Sequence, residues 1–409
     1  MPNIAVKKPK ETKVFEVLKE RGFIFQTSDE KEVKRLLNNE KTTIYEGFDP
    51  SADSLHLGHL MSLMVMHHLQ EAGHKVIFIL GGGTGRVGDP SGKKTARKFL
   101  SSKDVASNGK KIKAQVEKMG LLRFSGKNSV LMIDNNKWLS KFSFLDDFMV
   151  KIAKVFSVNE MLKMRTFADR LSTEENLSLM EFCYPVLQAW DYLELYQRFE
   201  CKIQMGGQDQ WSNILQGMDL VKRVHSKTVF ALTFPLLTNP NGEKMGKTEK
   251  GPVWLDSKKT TPFEFYQYLI QTPDSLVPQM LKLFTFLPLS EITEILKNPR
   301  EAQKRLAFEV TAIVHGKSFA EKVRSDSSKL FSSEEGKTDS VSTFKTNGKL
   351  ALDDILVSAG ALSSKAEVKR RCENGAIKID DIKIDDPKII IKKACLVRYG
   401  KSSFLRIEI

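Results

Sequence analysis

Three stretches of this sequence carry residue types that handle phosphate. The first runs Phe48-Asp49-Pro50-Ser51-Ala52-Asp53-Ser54-Leu55-His56-Leu57-Gly58-His59, after a β-branched run and into a helical pattern. A helix start presents unpaired N–H groups and the positive end of its dipole, so anions settle there. His56 and His59 stand three apart, on one face of the first turn, and Gly58 between them lets a flat ligand touch backbone. The Ser and Asp residues at the entry are natural helix caps. The second stretch, Gly81 to Lys94, holds two near-matches to known phosphate loops. Gly83-x-Gly85-x-x-Gly88 follows a strand, but no second strand ending in an acid comes about 20 residues later, as a dinucleotide fold requires. Gly88 to Lys94 is one residue short of a Walker loop and has Lys94 where a magnesium-binding hydroxyl belongs. What remains is a loop carrying Lys93, Lys94 and Arg97, ready to close on a phosphate. The third, Lys244-Met245-Gly246-Lys247-Thr248, sits after the turn residues Asn239-Pro240-Asn241-Gly242. Two lysines and a hydroxyl on a glycine-containing loop suit a polyphosphate. Alone, the first stretch reads more readily as surface or structural histidines, and the third as an exposed basic turn. Their conjunction carries the argument.

The elements that must hold these segments read as α/β. Thr42 to Tyr45 is a short strand closed by Gly47, Leu57 to Ala72 a helix with Leu60, Met64 and Leu69 on one side, and Lys75 to Leu80 a buried parallel strand. Val130 to Ile133 is another strand, ending at Asp134 and Asn135, while Ala106 to Gly120 looks helical. Strand, helix, strand in this rhythm predicts a doubly wound parallel sheet. Phe142 to Leu195 is mostly helical, Cys201 to Met205 a strand before Gly206-Gly207, Thr228 to Leu237 another strand, and Phe263 to His315 mostly helical. Residues 325–349, rich in Ser, Lys, Glu and Thr, read as a linker. Beyond it, Leu352 to Ala359 and Lys365 to Glu373 are short helices ahead of short alternating strands.

With 409 residues, two or three domains are expected. The four cysteines, Cys183, Cys201, Cys372 and Cys395, form no Cys-x-x-Cys pair, which argues against a zinc ribbon or disulfide framework. No apolar run reaches the roughly 20 residues needed to span a bilayer, and no apolar stretch follows the N-terminal lysines. A cytoplasmic protein with no membrane association is the expectation. A net charge of +14 favours a polyanionic partner.

Taken together and in this order, the three stretches resemble the class I aminoacyl-tRNA synthetases. His56-Leu57-Gly58-His59 is similar to the first signature of that class, and Lys244-Met245-Gly246-Lys247-Thr248 to the second. Tyr45-x-Gly47-Phe48-Asp49-Pro50, Gly88-Asp89-Pro90-Ser91-Gly92-Lys93, Tyr184-x-x-x-Gln188-x-x-Asp191 and Gly206-Gly207-x-Asp209-Gln210-Trp211 narrow the likeness to the bacterial type of tyrosyl-tRNA synthetase. The resemblance spans nearly the whole chain. It implies a Rossmann-like catalytic domain with a dimer-interface insertion (1–238), a catalytic-loop and α-helical anticodon-arm domain (239–324), the linker, and a small α+β RNA-binding module (350–409). It implies that L-tyrosine is activated with ATP and transferred to tRNA(Tyr) by a homodimer, with Mg2+ accompanying the ATP phosphates and no metal bound by the protein itself. By resemblance, Tyr45 and Asp191 hold the phenolic hydroxyl, and Asp89, Tyr184 and Gln188 the ammonium. Asp49, Ser51, Gly58, Gly207, Asp209, Gln210 and Lys247 meet ATP, with Asp209 on its ribose. His56, His59, Lys93, Arg97, Lys244, Lys247 and Thr248 act on the phosphates. Lys365, Lys369, Arg370 and Arg371 meet RNA. Tyr184, Gln188 and Asp191 share one helix face by spacing alone.

The sequence departs from the family at Glu46, where many members carry a cysteine near the ribose, at Ser51 for threonine, at Trp190 for tyrosine, and at Gly246 for the serine of the broader signature. A tryptophan-specific relative is disfavoured by Tyr45 with Asp191. A non-catalytic RNA chaperone on the same fold would be expected to lose His59, Lys244 or Lys247, and all three are present.

Overall fold

Among the described residues, five parallel strands and one antiparallel edge strand make the main sheet. The computed structural model describes residues 13–91, 100–173, 176–238, 245–248, 251–331, 341–346, 348–400 and 403–409, without the side chains of 247, 248, 330 and 331. The chain divides into two units, Met1–Asp256 with Asp274–Pro299, and Ser257–Pro273 with Arg300–Ile409.

In the first unit the strands are β1 (Gln26–Thr27), β2 (Thr43–Phe48), β3 (Lys75–Leu80), β4 (Leu131–Asp134), β5 (Cys201–Gly207) and β6 (Phe230–Phe234), in the spatial order β1-β6-β5-β2-β3-β4. All neighbours are parallel except β1 with β6. The chain builds β2, β3 and β4 outward in one direction, then returns to lay β5 and β6 on the other side of β2. The order therefore reverses between β2 and β5, and ligands of such sheets bind outside the carboxyl ends at that point.

β3 is buried along Val76 to Leu80, as its unbroken apolar run predicts. Helix α1 (Leu57–Glu71) departs from expectation in being buried on nearly every side, from Leu60 and Met61 round to Val65 and Met66. The reason is that the helices Val14–Arg21 and Val277–Phe284 both pack on it, opposite the sheet. Helix α2 (Ser102–Met119) starts with a capping box between Ser101 and Asp104. Helices α3 (Tyr184–Phe199) and α4 (Trp211–His225) pack closely together, and the α3 side chains Tyr192 and Leu195 enter the core with Tyr45, Ile77 and Ile79. Between β4 and α3 the chain forms a nine-residue π-helix, Phe144–Ile152, and short helices, among which Arg170 and Glu181 form a buried ion pair at 2.8 Å.

In the second unit, helix α5 (Pro262–Ile270) packs on α6 (Lys317–Phe331). A second sheet has the order β11-β10-β12-β13-β9, with β9 Thr343–Lys345, β10 Lys378–Ile379, β11 Ile382–Lys383, β12 Cys395–Arg398 and β13 Phe404–Glu408. It encloses, with helices α7 (Leu352–Ser358) and α8 (Lys365–Glu373), a core of Leu352, Ile355, Leu356, Val368, Val397 and Ile407. Strands β7 (Lys247–Thr248) and β8 (Gly251–Pro252) form a separate ribbon in the first unit. Two parts of the stretch read as a linker are structured. α6 continues to Phe331 with Asp326 and Ser327 buried, and β9 runs parallel to β13. Polar composition misled there because a three-residue edge strand needs few apolar side chains.

Candidate active site

A cavity of about 710 Å3 opens at the carboxyl ends of β2, β3 and β5. Every described side chain that the sequence singles out for tyrosine or ATP lines it: Tyr45, Asp49, Ser51, His56, His59, Asp89, Tyr184, Gln188, Asp191, Asp209 and Gln210, with Gly58 and Gly207. A second concavity of about 1160 Å3 is lined by Trp138, Trp190 and Arg223, and by none of the residues expected at tyrosine or ATP. Size alone would therefore choose the wrong one. Lys93, Arg97 and Lys244 lie outside the described residues, as does Lys94, and only the backbone of Lys247 and Thr248 is described.

At one end, β2 delivers Tyr45 and α3 delivers Asp191. Tyr45 is 1% exposed, packs edge-on against Tyr192 with ring centroids 5.2 Å apart, and its hydroxyl has no hydrogen-bond partner among the described residues. Burial and the Asp191 carboxylate push that phenol well above its usual range. The Asp191 oxygens accept from Trp138 Nε1 at 2.7 Å and Asn135 Nδ2 at 2.8 Å. Burial lifts its carboxyl to about 7, against the pull of those two donors. An acceptor and a buried, unpaired hydroxyl thus stand ready for a ligand group that both donates and accepts, and a phenol does both. Neither Asn135 nor Trp138 was singled out from the sequence. Asn135 follows the last residue of β4, and the rule that ligands gather at carboxyl ends of strands could have found it.

The network continues toward the middle of the cavity. Asn135 also donates to Thr84 Oγ1 at 3.0 Å, Thr84 donates to Asp49 at 2.7 Å, and the Tyr184 hydroxyl donates to Asp49 at 2.8 Å. Gly81 is required here, because a Cβ on it would stand 2.0 Å from Asp49 Oδ1. Asp89 accepts from the Ser91 N–H at 2.9 Å and from Gln210 Nε2 at 2.7 Å, while Asn213 Nδ2 bridges to Gln188 at 3.1 Å. The expected ammonium partners Asp89, Tyr184 and Gln188 therefore converge, and Asp49, expected at ATP, is hydrogen-bonded to one of them.

At the other end lies the start of α1. The expected Ser and Asp caps are not used. His56 is itself the N-cap, its Nδ1 accepting from the Gly58 N–H at 3.1 Å, while His59 Nδ1 accepts from the His56 N–H at 3.1 Å. The rings lie 3.9 Å apart. With both Nδ1 atoms accepting, each ring carries its proton on Nε2, a donor suited to a phosphate oxygen. The segment around Gly246 docks on the same turn. The Leu57 N–H donates to Val253 O at 2.8 Å, the Leu255 N–H to Leu55 O at 2.9 Å and the Val253 N–H to Gly246 O at 2.7 Å. Gly246 has φ +85°, and a Cβ there would sit 3.4 Å from the Gly58 nitrogen. This is a physical reason for glycine where the broader signature has serine.

In the second unit, Lys369 and Arg370 project from α8 into solvent. Lys365 pairs with Asp354 at 2.5 Å, and Arg371 is held by Glu367 at 2.7 Å and by Tyr399 O at 2.9 Å. The four expected RNA-facing residues thus share a helix but differ in exposure and pairing. Among the described residues no group of three His, Cys, Asp or Glu side chains is placed to hold a metal, and no helix is long and apolar enough to cross a membrane.

Comparison with known proteins agrees with this geometry. A family model described as "tRNA synthetases class I (W and Y)" matches residues 37–332, and an S4 domain model matches residues 352–394. The chain is 40% identical to a tyrosine–tRNA ligase of Clostridium botulinum and 42% identical to that of Clostridium tetani, each over 97% of this chain and 99% of the relative. It is also similar to the crystal structure of a C-terminally truncated Aspergillus nidulans mitochondrial tyrosyl-tRNA synthetase. That likeness has a TM-score of 0.71 and 32% identity, covering 78% of this chain and 94% of that one.

Proposed function

The chain belongs to the class I tyrosyl-tRNA synthetases, and from that premise we infer that its cavity activates L-tyrosine with ATP and passes the tyrosyl group to tRNA(Tyr). The observation that carries this reading is the unpaired Tyr45 hydroxyl beside Asp191, in the same cavity as a histidine-capped helix start. Tyrosine fits with its hydroxyl between Tyr45 and Asp191 and its ammonium toward Asp89, Tyr184 and Gln188. Phenylalanine would leave the buried groups unpaired. Sites that hydrogen-bond a substrate hydroxyl reject analogues lacking it by orders of magnitude, a rule for which tyrosyl-tRNA synthetases are themselves the standing example.

No protein nucleophile is needed. The tyrosine carboxylate attacks the α-phosphorus of ATP, the bond to the β-phosphate breaks, and pyrophosphate leaves with tyrosyl-adenylate formed. Catalysis rests on alignment and on donors aimed at the developing charge. His56 and His59 supply imidazole donors at the α1 start. Lys93, Arg97, Lys244, Lys247 and Thr248 supply cations and a hydroxyl to the departing pyrophosphate. Asp209 and Gln210, after β5, take the ribose side with Ser51, Gly58 and Gly207, and Asp49 orients the groups around it. Mg2+ travels with the ATP phosphates. A ribose hydroxyl of the terminal tRNA adenosine then attacks the adenylate carbonyl and displaces AMP.

The S4 match and the solvent-facing Lys369 and Arg370 support tRNA contact through α8. Lys365 shares that surface, and Arg371 braces the helix from behind. Such contact is phosphate-driven and weakens with salt. A homodimer is supported by large apolar side chains left exposed between β4 and α3, among them Phe144 at 68%, Leu145 at 66% and Leu179 at 76%. The cytoplasm, where tRNA is charged, is the matching location. ATP–pyrophosphate exchange with tyrosine, tryptophan, phenylalanine and no amino acid tests the reading. Exchange with tyrosine alone is the expected result, and equal exchange with tryptophan would overturn it.

A further inference from the structure

Asn213 has no place in the scheme above. It lies in the first turn of α4 and is 2% exposed. Its amide nitrogen Nδ2 stands 3.1 Å from Gln188 Oε1, 3.2 Å from Ser91 Oγ, and 3.4 Å from both Asp89 Oδ1 and Gln210 Oε1. Those four residues line the cavity, whereas Asn213 stands behind them. Asp89 sets the orientations. A carboxylate only accepts, so Gln210 turns its Nε2 to Asp89 Oδ2 at 2.7 Å and leaves its Oε1 toward Asn213. For the same reason Asn213 presents Nδ2 to Asp89 Oδ1, and that nitrogen then holds the oxygen end of Gln188. An amide nitrogen carries two protons, too few for four acceptors. The cluster is therefore richer in acceptors than in donors, and a ligand group with several N–H bonds would balance it.

We propose that Asn213 is a positioning residue for the substrate's amino group: it locks the oxygens of Asp89, Gln188 and Gln210 into one acceptor set and so governs how tightly the amine is held, without touching it. This rests on the synthetase reading and deepens it. An ammonium group brings three donors on one atom. Glutamine suits it only when the amide oxygen faces inward, and an amide free to flip would offer its NH2 end and oppose a cation. The Nδ2 donor of Asn213 resists that flip at both Gln188 and Gln210. A neutral amide fits this task, because a lysine or arginine in its place would satisfy the same oxygens but set a positive charge against the incoming amine. The Asp191 end of the cavity is held separately, by Asn135 and Trp138. The effect of Asn213 should therefore be confined to ligands that carry the amine.

The test is ATP–pyrophosphate exchange by the full-length enzyme and its Asn213→Ala and Asn213→Leu variants, with two competing inhibitors. Tyramine keeps the phenol and the amine, and 3-(4-hydroxyphenyl)propionate keeps the phenol and the carboxylate but has no amine. Asn213→Ala should raise KM for tyrosine and the inhibition constant of tyramine roughly tenfold each, the worth of about one hydrogen bond to a buried group. The inhibition constant of the amine-free acid and KM for ATP should stay within about twofold. Asn213→Leu fills the same space without a donor and should show the same pattern. If leucine restores tyrosine affinity, Asn213 only fills space and the proposal fails. It fails equally if both inhibitors weaken together, up to loss of all binding, because the residue would then support the whole site and not the amine. In either case wild-type exchange with tyrosine leaves the synthetase reading standing. If wild-type enzyme shows no tyrosine-dependent exchange, the synthetase reading fails and takes this proposal with it.

Discussion

At the end of the cavity proposed for the amino acid, Asp191 of α3 is gripped by Asn135 and Trp138, which follow β4 more than fifty residues earlier in the chain. At the end proposed for the phosphates, His56 and His59 are fixed by N–H groups of their own helical turn, and the Gly246 segment is tied to that turn by backbone hydrogen bonds. One end is a side-chain network assembled across long sequence separations. The other is a set of short local motifs joined through main chain. The first kind of site selects, because every group is committed to one geometry. The second kind holds charge, and it tolerates change at any side chain that the backbone contacts do not use.

The sharpest way to break this contrast is Asp191→Ala. It should lower kcat/KM for tyrosine by about a thousandfold or more, since buried donors lose their acceptor, and erase the preference over phenylalanine in pyrophosphate exchange. Preserved preference would mean that selection lies elsewhere. Lys247→Ala probes the opposite end. Adenylate formation in a stopped-flow burst should slow by about a hundredfold, the usual loss for one charge-stabilising group, with tyrosine affinity nearly unchanged. Next comes Gly246→Ala, where a side chain would demand left-handed backbone against the Gly58 nitrogen. A strain of about 1–3 kcal/mol should appear as a roughly tenfold lower kcat with KM for tyrosine unaltered, whereas Gly246→Asn should be milder because asparagine tolerates that conformation. The smallest effect is expected from Trp138→Phe, which removes one of the two donors on Asp191 and should raise KM for tyrosine about five- to tenfold.

That last variant also carries a pH signature. The Asp191 carboxyl is lifted to about 7, so its ionised, accepting form is lost as pH falls through that value, and wild-type kcat/KM for tyrosine should fall there too. Taking away the Trp138 donor disfavours the charged form, so the midpoint should move up. The phosphate-end variants should leave the midpoint where it is. A midpoint that shifts in Gly246→Ala instead would dissolve the distinction between the two ends.

The same contrast explains how far the sequence could be read. β3 and α1 were legible because a continuous apolar run and a helical repeat are local signals. His56, His59 and Gly58 were legible because their spacing alone puts them on one turn. Asn135 and Trp138 were not, since their meaning depends on β4 ending beside α3, and no local pattern encodes which strands become neighbours. The histidine capping was missed for a related reason. Ser and Asp were the stronger candidates by propensity, but the turn that forms puts His56 at the N-cap position. Residues 343–345 were read as linker because a strand completed by a distant partner needs no apolar pattern of its own.

That last strand has a practical bearing on how this protein can be divided. Since β9 lies alongside β13, a fragment beginning at residue 350 would keep the helices and most of the second sheet but strip one flank from β13. Its bare N–H and C=O groups would then invite self-association. A cut placed before residue 341 keeps that margin covered.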